Sequence, residues 1–234
     1  MAVVSPASFL RPAALGPAMA LVAAFGAGLA AFPAPAHAAQ AAPPPRVVML
    51  RVKLDEQGKV LDSKSIDATA VPALVQAGSE IARKLTFAPA RKQGRPVGSE
   101  TNLMLVLAFT PRAAGGYGLS LSRAQNGPSI TARKSQGTFG GIHSGHVVVG
   151  VDLQPDGSVD MASFAAADAS QDAKLVKAAH DGLVGAVFQL DAVDAINTPA
   201  RITLDFDFAS SEPPVLTAVS KIEGVVLPRV DYRN

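Results

Sequence analysis

Val47–Asp62 reads VVMLRVKLDEQGKVLD, and His146–Met161 reads HVVVGVDLQPDGSVDM. With Gly58 set against Gly157, an offset of 99 residues places Val48, Leu50, Val52 and Leu54 on Val147, Val149, Val151 and Leu153. Apolar positions alternate in both stretches, which is the period of a strand with one buried face. Gln57-Gly58 and Asp156-Gly157 then fall where a tight turn between two strands needs a positive φ. The same offset carries Leu103, Leu105, Leu107 and Phe109 onto Ile202, Leu204, Phe206 and Phe208. The chain reads as an internal duplication.

Between its paired strands each copy holds a helical pattern. Leu74, Ala77, Gly78, Ile81 and Leu85 recur at helical spacing behind Pro72, and Leu175, Ala178, Ala179, Leu183 and Val187 do so in the second copy. The helix and the Phe that follows it (Phe87, Phe188) align at an offset of 101, so two residues enter the second copy and are later removed. Each copy runs strand, turn, strand, helix, strand. The expected fold class is α+β: two units, each a small antiparallel three-stranded sheet (β-β-α-β) with a helix packed on one face.

The expected organisation is a signal peptide over 1–38, a short Pro-rich segment over 39–45, a first domain over 46–111 and a Gly-rich connector over 112–144. A second, more degenerate domain follows over 145–210, and a tail over 211–234. Arg11 precedes the uncharged apolar run Ala13–Phe32, and Ala36 and Ala38 form a small-residue cleavage site, so the leader is expected to be cut after Ala38 and the protein to reach the periplasm. The rival reading keeps the leader as an inner-membrane anchor, because about 20 apolar residues can span a bilayer. In the connector, weak alternation around Asn126-Gly127 reads as a hairpin. The tail either adds a strand or stays loose.

Composition narrows the function. The 21 Lys+Arg against 19 Asp+Glu leave a net charge of +2, which is no nucleic-acid footprint. With no cysteine there is no disulfide frame, thiol nucleophile or Cys-ligated zinc. No nucleophile elbow, phosphate loop, dinucleotide fingerprint or H-E-x-x-H occurs. His143-Ser-Gly-His146, with His180, lacks a positioned carboxylate and reads as solvated loop rather than a metal site. Asp205 and Asp207 sit on the polar side of their strand as solubilising charges, and Asp191-Ala-Val-Asp194 offers only a weak suggestion of paired carboxylates. No catalytic residue, cofactor or metal is expected, and the protein reads as a non-enzyme.

Leu85–Val97 reads LTFAPARKQGRPV and leads into LMLVLAF. Phe87, Pro89, Ala90, Gly94, Pro96 and Val97, with Asp55 and Gly58 of the turn, make this copy resemble the C-terminal domain of the TonB family of energy transducers. The likeness covers Arg46–Pro111 by motif. It covers Gly145–Ser210 by pattern alone, where Phe188 and Pro199 remain but the Phe-x-Pro-Ala stretch is gone. The resemblance implies a three-stranded sheet with helices on one side, working in the periplasm and gripping an extended segment of an outer-membrane receptor. Three departures stand out: only AAPPPR precedes Val47, Pro43–Pro45 is the whole Pro-rich spacer, and no His lies within Ala13–Phe32. The expected function is therefore protein binding in the cell envelope, linked to TonB-dependent transport. The alternatives are an anchored transducer and a structural or assembly module of the envelope. Partners would be envelope proteins, such as an outer-membrane receptor, or a second copy of the chain; a membrane is a partner only if the leader is retained.

In the resembled fold the final strand lies at an open edge, where an extended peptide can add itself. That places candidate partner-binding residues at Leu103, Met104, Val106 and Ala108. The outward positions there, Met104, Val106 and Ala108, are apolar, whereas their counterparts Thr203, Asp205 and Asp207 are polar. A strand apolar on both faces is normally covered on both. The connector, the other copy, a second molecule or a partner must do so. Charge divides along the same line. Nine bases meet six acids in Val47–Thr110, the connector holds four bases and no acid, and His146–Phe208 holds ten acids against three bases. Attraction between the two copies is expected from that division. Units of roughly 65 residues without disulfides are marginal alone, so the copies are also expected to share an interface.

Overall fold

The computed structural model describes residues 43–112, 115–132, 144–168, 172–209 and 213–232. The leader with Ala36 and Ala38, and His143, lie outside the described residues. The first repeat comprises β1 (Arg46–Leu54), β2 (Val60–Ser65), α1 (Pro72–Ala82), β3 (Thr86–Ala88), β4 (Arg91–Lys92), β5 (Arg95–Pro96) and β6 (Ser99–Pro111). The connector supplies β7 (Tyr117–Asn126) and β8 (Ser129–Ala132). The second repeat comprises β9 (His146–Leu153), β10 (Val159–Ala166), α2 (Ala173–Leu183), β11 (Val187–Gln189), β12 (Ala192–Val193), β13 (Ile196–Asn197) and β14 (Ala200–Asp207). The tail adds β15 (Val215–Ser220), β16 (Val225–Val226) and β17 (Arg229–Asp231). All paired strands run antiparallel and both described helices belong to the repeats, so the fold is α+β.

Alternation sets the faces. Val48, Leu50, Val52 and Leu54 of β1, and Val147, Val149, Val151 and Leu153 of β9, are all buried. β1 pairs with β6 from Arg46↔Leu107 to Leu54↔Ser99, and β9 pairs with β14 from His146↔Asp207 to Asp152↔Arg201. Leu103, Leu105 and Leu107 thereby join the first core and Ile202 and Leu204 the second. α1 opens on Pro72, whose missing N–H costs nothing in a first turn. α2 is capped by the Asp172 carboxylate, which accepts from the Lys174 N–H at 2.7 Å. Each helix sits on the core face of its sheet. Leu85 and Val187, expected as the last members of the two helical patterns, lie beyond the helix ends, and Val187 is the first residue of β11.

Both turn glycines are required. Gly58 (φ +79°) and Gly157 (φ +82°) press against the strand after the helix, so an added Cβ would lie 2.1 Å from the Phe87 carbonyl oxygen and 2.0 Å from that of Phe188. Both stretches make the same contact, the turn glycine against the carbonyl of the Phe that follows the helix. The two inserted residues are taken up in β10. Where β1 and β2 slip by one residue at Leu54, the β9–β10 register jumps between Asp160↔Asp152 and Ala165↔Gly150. Ser163 plugs that bulge, donating to the Asp160 carbonyl and accepting from the Asp152 N–H, both at 2.7 Å.

The stretch taken as lost from the second copy keeps its geometry. β4–β5 and β12–β13 are equivalent two-residue hairpins, turned at Gln93-Gly94 and at Asp194-Ala195 with positive φ at all four residues. Val97 N–H donates to the Ala90 carbonyl at 3.0 Å, and Thr198 N–H to that of Asp191 at 2.9 Å.

The sheets exceed three strands. β7 pairs along β6 from Leu103↔Asn126 to Pro111↔Tyr117, and β15 pairs along β14 from Asp205↔Val215 to Ala200↔Ser220. The strand orders are β13-β12-β6-β1-β2, with β7 also on β6, and β10-β9-β14-β15. The expected connector hairpin does not form. β7 completes the first sheet while β8 pairs with β11 of the second repeat. An isolated two-stranded hairpin is marginal in water, and the apolar edge of β6 is a better partner. The tail answers in kind, with β17 on β3 and β16 on β4 of the first repeat. Each repeat is thus followed by a strand on its own sheet and then by one on the other repeat, and Ala41–Asn234 is one compact unit.

Candidate functional site: the cleft between the repeats

The outward face of the first sheet meets the helix-bearing face of the second across a cleft of about 270 Å³. Val47, Met49, Asn102, Met104 and Gln125 form one wall, and Leu183, Phe188, Leu204, Phe206 and Leu216 the other. The chain crossing from β7 to β8, Gly127 to Ile130, closes one end, and Pro213 and Pro214 close another. Cross-strand pairing brings Met49, Met104 and Gln125 into one row. This places the other repeat against the outward face that its apolar residues required to be covered. The counterpart face of the second sheet stays wet at Thr203 and Asp207.

The expected partner-binding strand is not an open edge. Leu103, Met104 and Val106 are buried and Ala108 is half-buried, with β1 on one side of their strand and β7 on the other. Edge capture at these residues is corrected to internal pairing, because the connector occupies the edge. The motif residues divide by task. Gly58 and Phe87 lock the turn to the core, Gly94 turns the β4–β5 hairpin, and Pro96 is exposed in β5. Pro89 is half-buried, and Ala90 and Val97 pack with Val193, Ala200 and Leu227 of the second repeat and tail.

A polar seam runs beside the cleft. Asn102 donates to the carbonyls of Gly127 (3.2 Å) and Gln189 (2.8 Å) and accepts from Arg51 Nη1 at 3.1 Å. The Arg51 guanidinium also donates to the Leu190 carbonyl at 2.8 Å and pairs with Glu100 at 3.4 Å. Asn126 donates to Thr101 Oγ1 (3.0 Å) and the Pro228 carbonyl (2.9 Å), and accepts from the Val230 N–H at 2.6 Å. Asp191, 1% exposed, accepts from Thr101 Oγ1 at 2.7 Å, and its Oδ2 has no partner among the described residues. Burial pushes this carboxyl up to about 6, against the Thr101 hydrogen bond and the Arg51 charge, which pull it down. Sequence reasoning passed over Asn102, Asn126 and Ser129. The available signal was polarity at strand positions next to an apolar run, and for Asp191, polarity where its repeat mate is Ala90.

The other candidates stay apart. Lys92 and Asp194 form a cross-repeat ion pair at 2.7 Å, exposed on both sides and of small energetic weight, and the Arg51 charge acts on the buried Asp191. Asp152 is held below the usual carboxylate range by hydrogen bonds from Lys221, at 2.5 Å, and Arg201, at 2.9 Å. His146 pairs with Asp205, whereas His180 packs edge-on to Phe164 at 5.0 Å and faces Asp181. Among the described residues no group of three or more His, Asp or Glu could hold a metal ion, and no helix is long and apolar enough to cross a membrane.

Compared with protein-family models, with curated proteins and with solved structures, the chain matches none.

Proposed function

We propose that this chain is an exported, TonB-C-terminal-like protein of two fused repeats that acts in the cell envelope by binding other proteins rather than by catalysis. Its leader is cut after Ala38 and it works in the periplasm, in association with TonB-dependent transport. The observation that supports the reading is the repeated lock between turn and strand, Gly58 on Phe87 and Gly157 on Phe188, built from residues of the motif on which the resemblance rests.

The binding mode differs from the one the resemblance implies, because β7 lies along the last strand of the first repeat. The two strand orders end on β13 and β2 and on β10 and β15. β10 is broken by its bulge, which blunts an edge. β2 pairs with β1 from Leu50↔Ser65 to Lys53↔Asp62 and then slips by one residue at the exposed Leu61, a smaller break than that of β10, so an added strand is assigned to β2, with the edge of β15 as the competing site. The test is a photo-crosslinking residue at Leu61 of the purified chain, mixed with envelope extract, with the same residue at Thr217 of β15 marking the competing edge. A discrete envelope protein captured at Leu61 alone supports the reading. Capture at Thr217 instead moves the added strand to the β15 edge, and capture at neither removes the binding function. A native chain retaining Met1 in the inner membrane would revive the anchored transducer.

A further inference from the structure

We infer that the cleft between the repeats is a binding site for a small neutral amphiphile: an aliphatic chain of about nine or ten carbons bearing one hydroxyl, ester or amide group. Three observations define the occupant. The space, about 270 Å³, equals that of about nine water molecules at about 30 Å³ each, close to the same number of methylenes. Its walls are aliphatic and aromatic, with Met49 and Met104 facing Leu183, Phe206 and Leu216. Methionine adapts its shape at low cost, which suits a chain without fixed geometry.

The third observation is the Ser129 hydroxyl. Ser129 lines the cleft, is 9% exposed, and its Oγ has no hydrogen-bond partner among the described residues. A buried hydroxyl left unsatisfied is costly, and a rotation about χ1 that turns it toward a guest carrying one polar group would satisfy it. The other polar side chains of the lining are engaged. Asn102 holds Gly127 and Gln189, Asn126 holds Pro228 and Val230, and Gln125 donates to the Pro214 carbonyl at 3.2 Å. Among the described residues, Ser129 is therefore the one polar side chain of the lining without a hydrogen bond of its own. None of the lining residues is ionisable, so a carboxylate or phosphate would enter without a counter-charge, at a large desolvation cost. The ligand is therefore neutral. Val47, 43% exposed, marks the rim by which a chain can enter.

This site is independent of the β2 edge and stands or falls separately. The test is calorimetric titration of the purified whole chain with 1-decanol and, at pH 8, with decanoate, on the wild type, Ser129→Ala and Met104→Trp. One-to-one binding of 1-decanol is expected, with decanoate at least tenfold weaker. Ser129→Ala should weaken 1-decanol about fivefold, the worth of one net hydrogen bond. Met104→Trp, which fills the cleft, should abolish binding. Should Met104→Trp unfold, as circular dichroism would show, Ser129→Ala decides alone, since it removes one atom from a folded wall. No binding of 1-decanol, decanoate binding as tightly as the alcohol, or unchanged affinity in Ser129→Ala would each overturn the assignment.

Discussion

Asp191 and Ala90 hold the same place in the two repeats, each accepting at its carbonyl the hydrogen bond that closes a two-residue hairpin, yet one is a buried carboxylic acid and the other a methyl group. Ala90 shares an apolar cluster with Ala200, whose repeat mate is Thr101. The twin of that apolar contact is the 2.7 Å hydrogen bond between Thr101 and Asp191. The seam is therefore dry on one side of the duplication and polar on the other.

The Asp191 carboxyl, raised from its ordinary 3.8 to about 6, makes folding tighten its hold on a proton. Stability from this group is highest below pH 3.8, declines as pH rises to about 6, and is flat above that, a loss on the order of 3 kcal/mol. Asp191→Asn keeps the acceptor for Thr101 and removes the charge. Its melting temperature should exceed that of the wild type at pH 8 and match it near pH 4; equal melting at pH 8 would show that Arg51 already compensates the charge.

Asn126 joins β7, β6 and the tail through three hydrogen bonds. Asn126→Ala should cost about 2 kcal/mol in urea unfolding, the cost of leaving buried partners unsatisfied. Amide exchange at Val230 should quicken more than that at Leu50, which lies in the first core.

The last part of the tail, β16 and β17, belongs structurally to the first repeat, through Val230↔Phe87 and Val225↔Lys92. A chain stopped after Ser220 should lose exchange protection across Thr86–Lys92, while Val147–Val151 of the second repeat keeps its own. Loss confined to the second repeat would contradict the exchange of strands.

Gly58→Ala and Gly157→Ala each drive a Cβ into a carbonyl oxygen at positive φ and should each cost about 3 kcal/mol. Gly94→Ala, at φ +77° with nothing within 4 Å, should cost only about 1–2 kcal/mol. Chemical denaturation of the three variants separates steric overlap from backbone strain.

Salt should leave the particle's dimensions unchanged. The joint is made of strand pairs and the Asn102 and Asn126 bonds, and the Lys92–Asp194 pair is exposed. Small-angle scattering at 0.1 M and 1 M salt, where the screening length falls from about 10 Å to about 3 Å, should superimpose. Expansion at high salt would restore a leading role to the division of charge.

What was legible in the sequence is what depends on neighbours along the chain. Alternation assigned Val48, Leu50, Val52 and Leu54 to one face, helical spacing located both helices, and Gly58 and Gly157 marked their turns, because side-chain direction follows the local backbone period. The offset also matched equivalent strands of the two stretches, and the apolar outward face at Met104 and Val106 declared that something must cover it. Which element does so was decided only in three dimensions. β7 against β6, β8 against β11 and β17 against β3 are choices among competing free edges, and no local period distinguishes one edge from another. Arg51 reaches the Leu190 carbonyl across 139 residues of sequence, and the cleft with Ser129 in its wall exists only after both repeats have exchanged strands. Local chemistry set the conformation of each segment; the pairing partners were set by which unpaired backbone and apolar surface remained to be buried once those segments had formed.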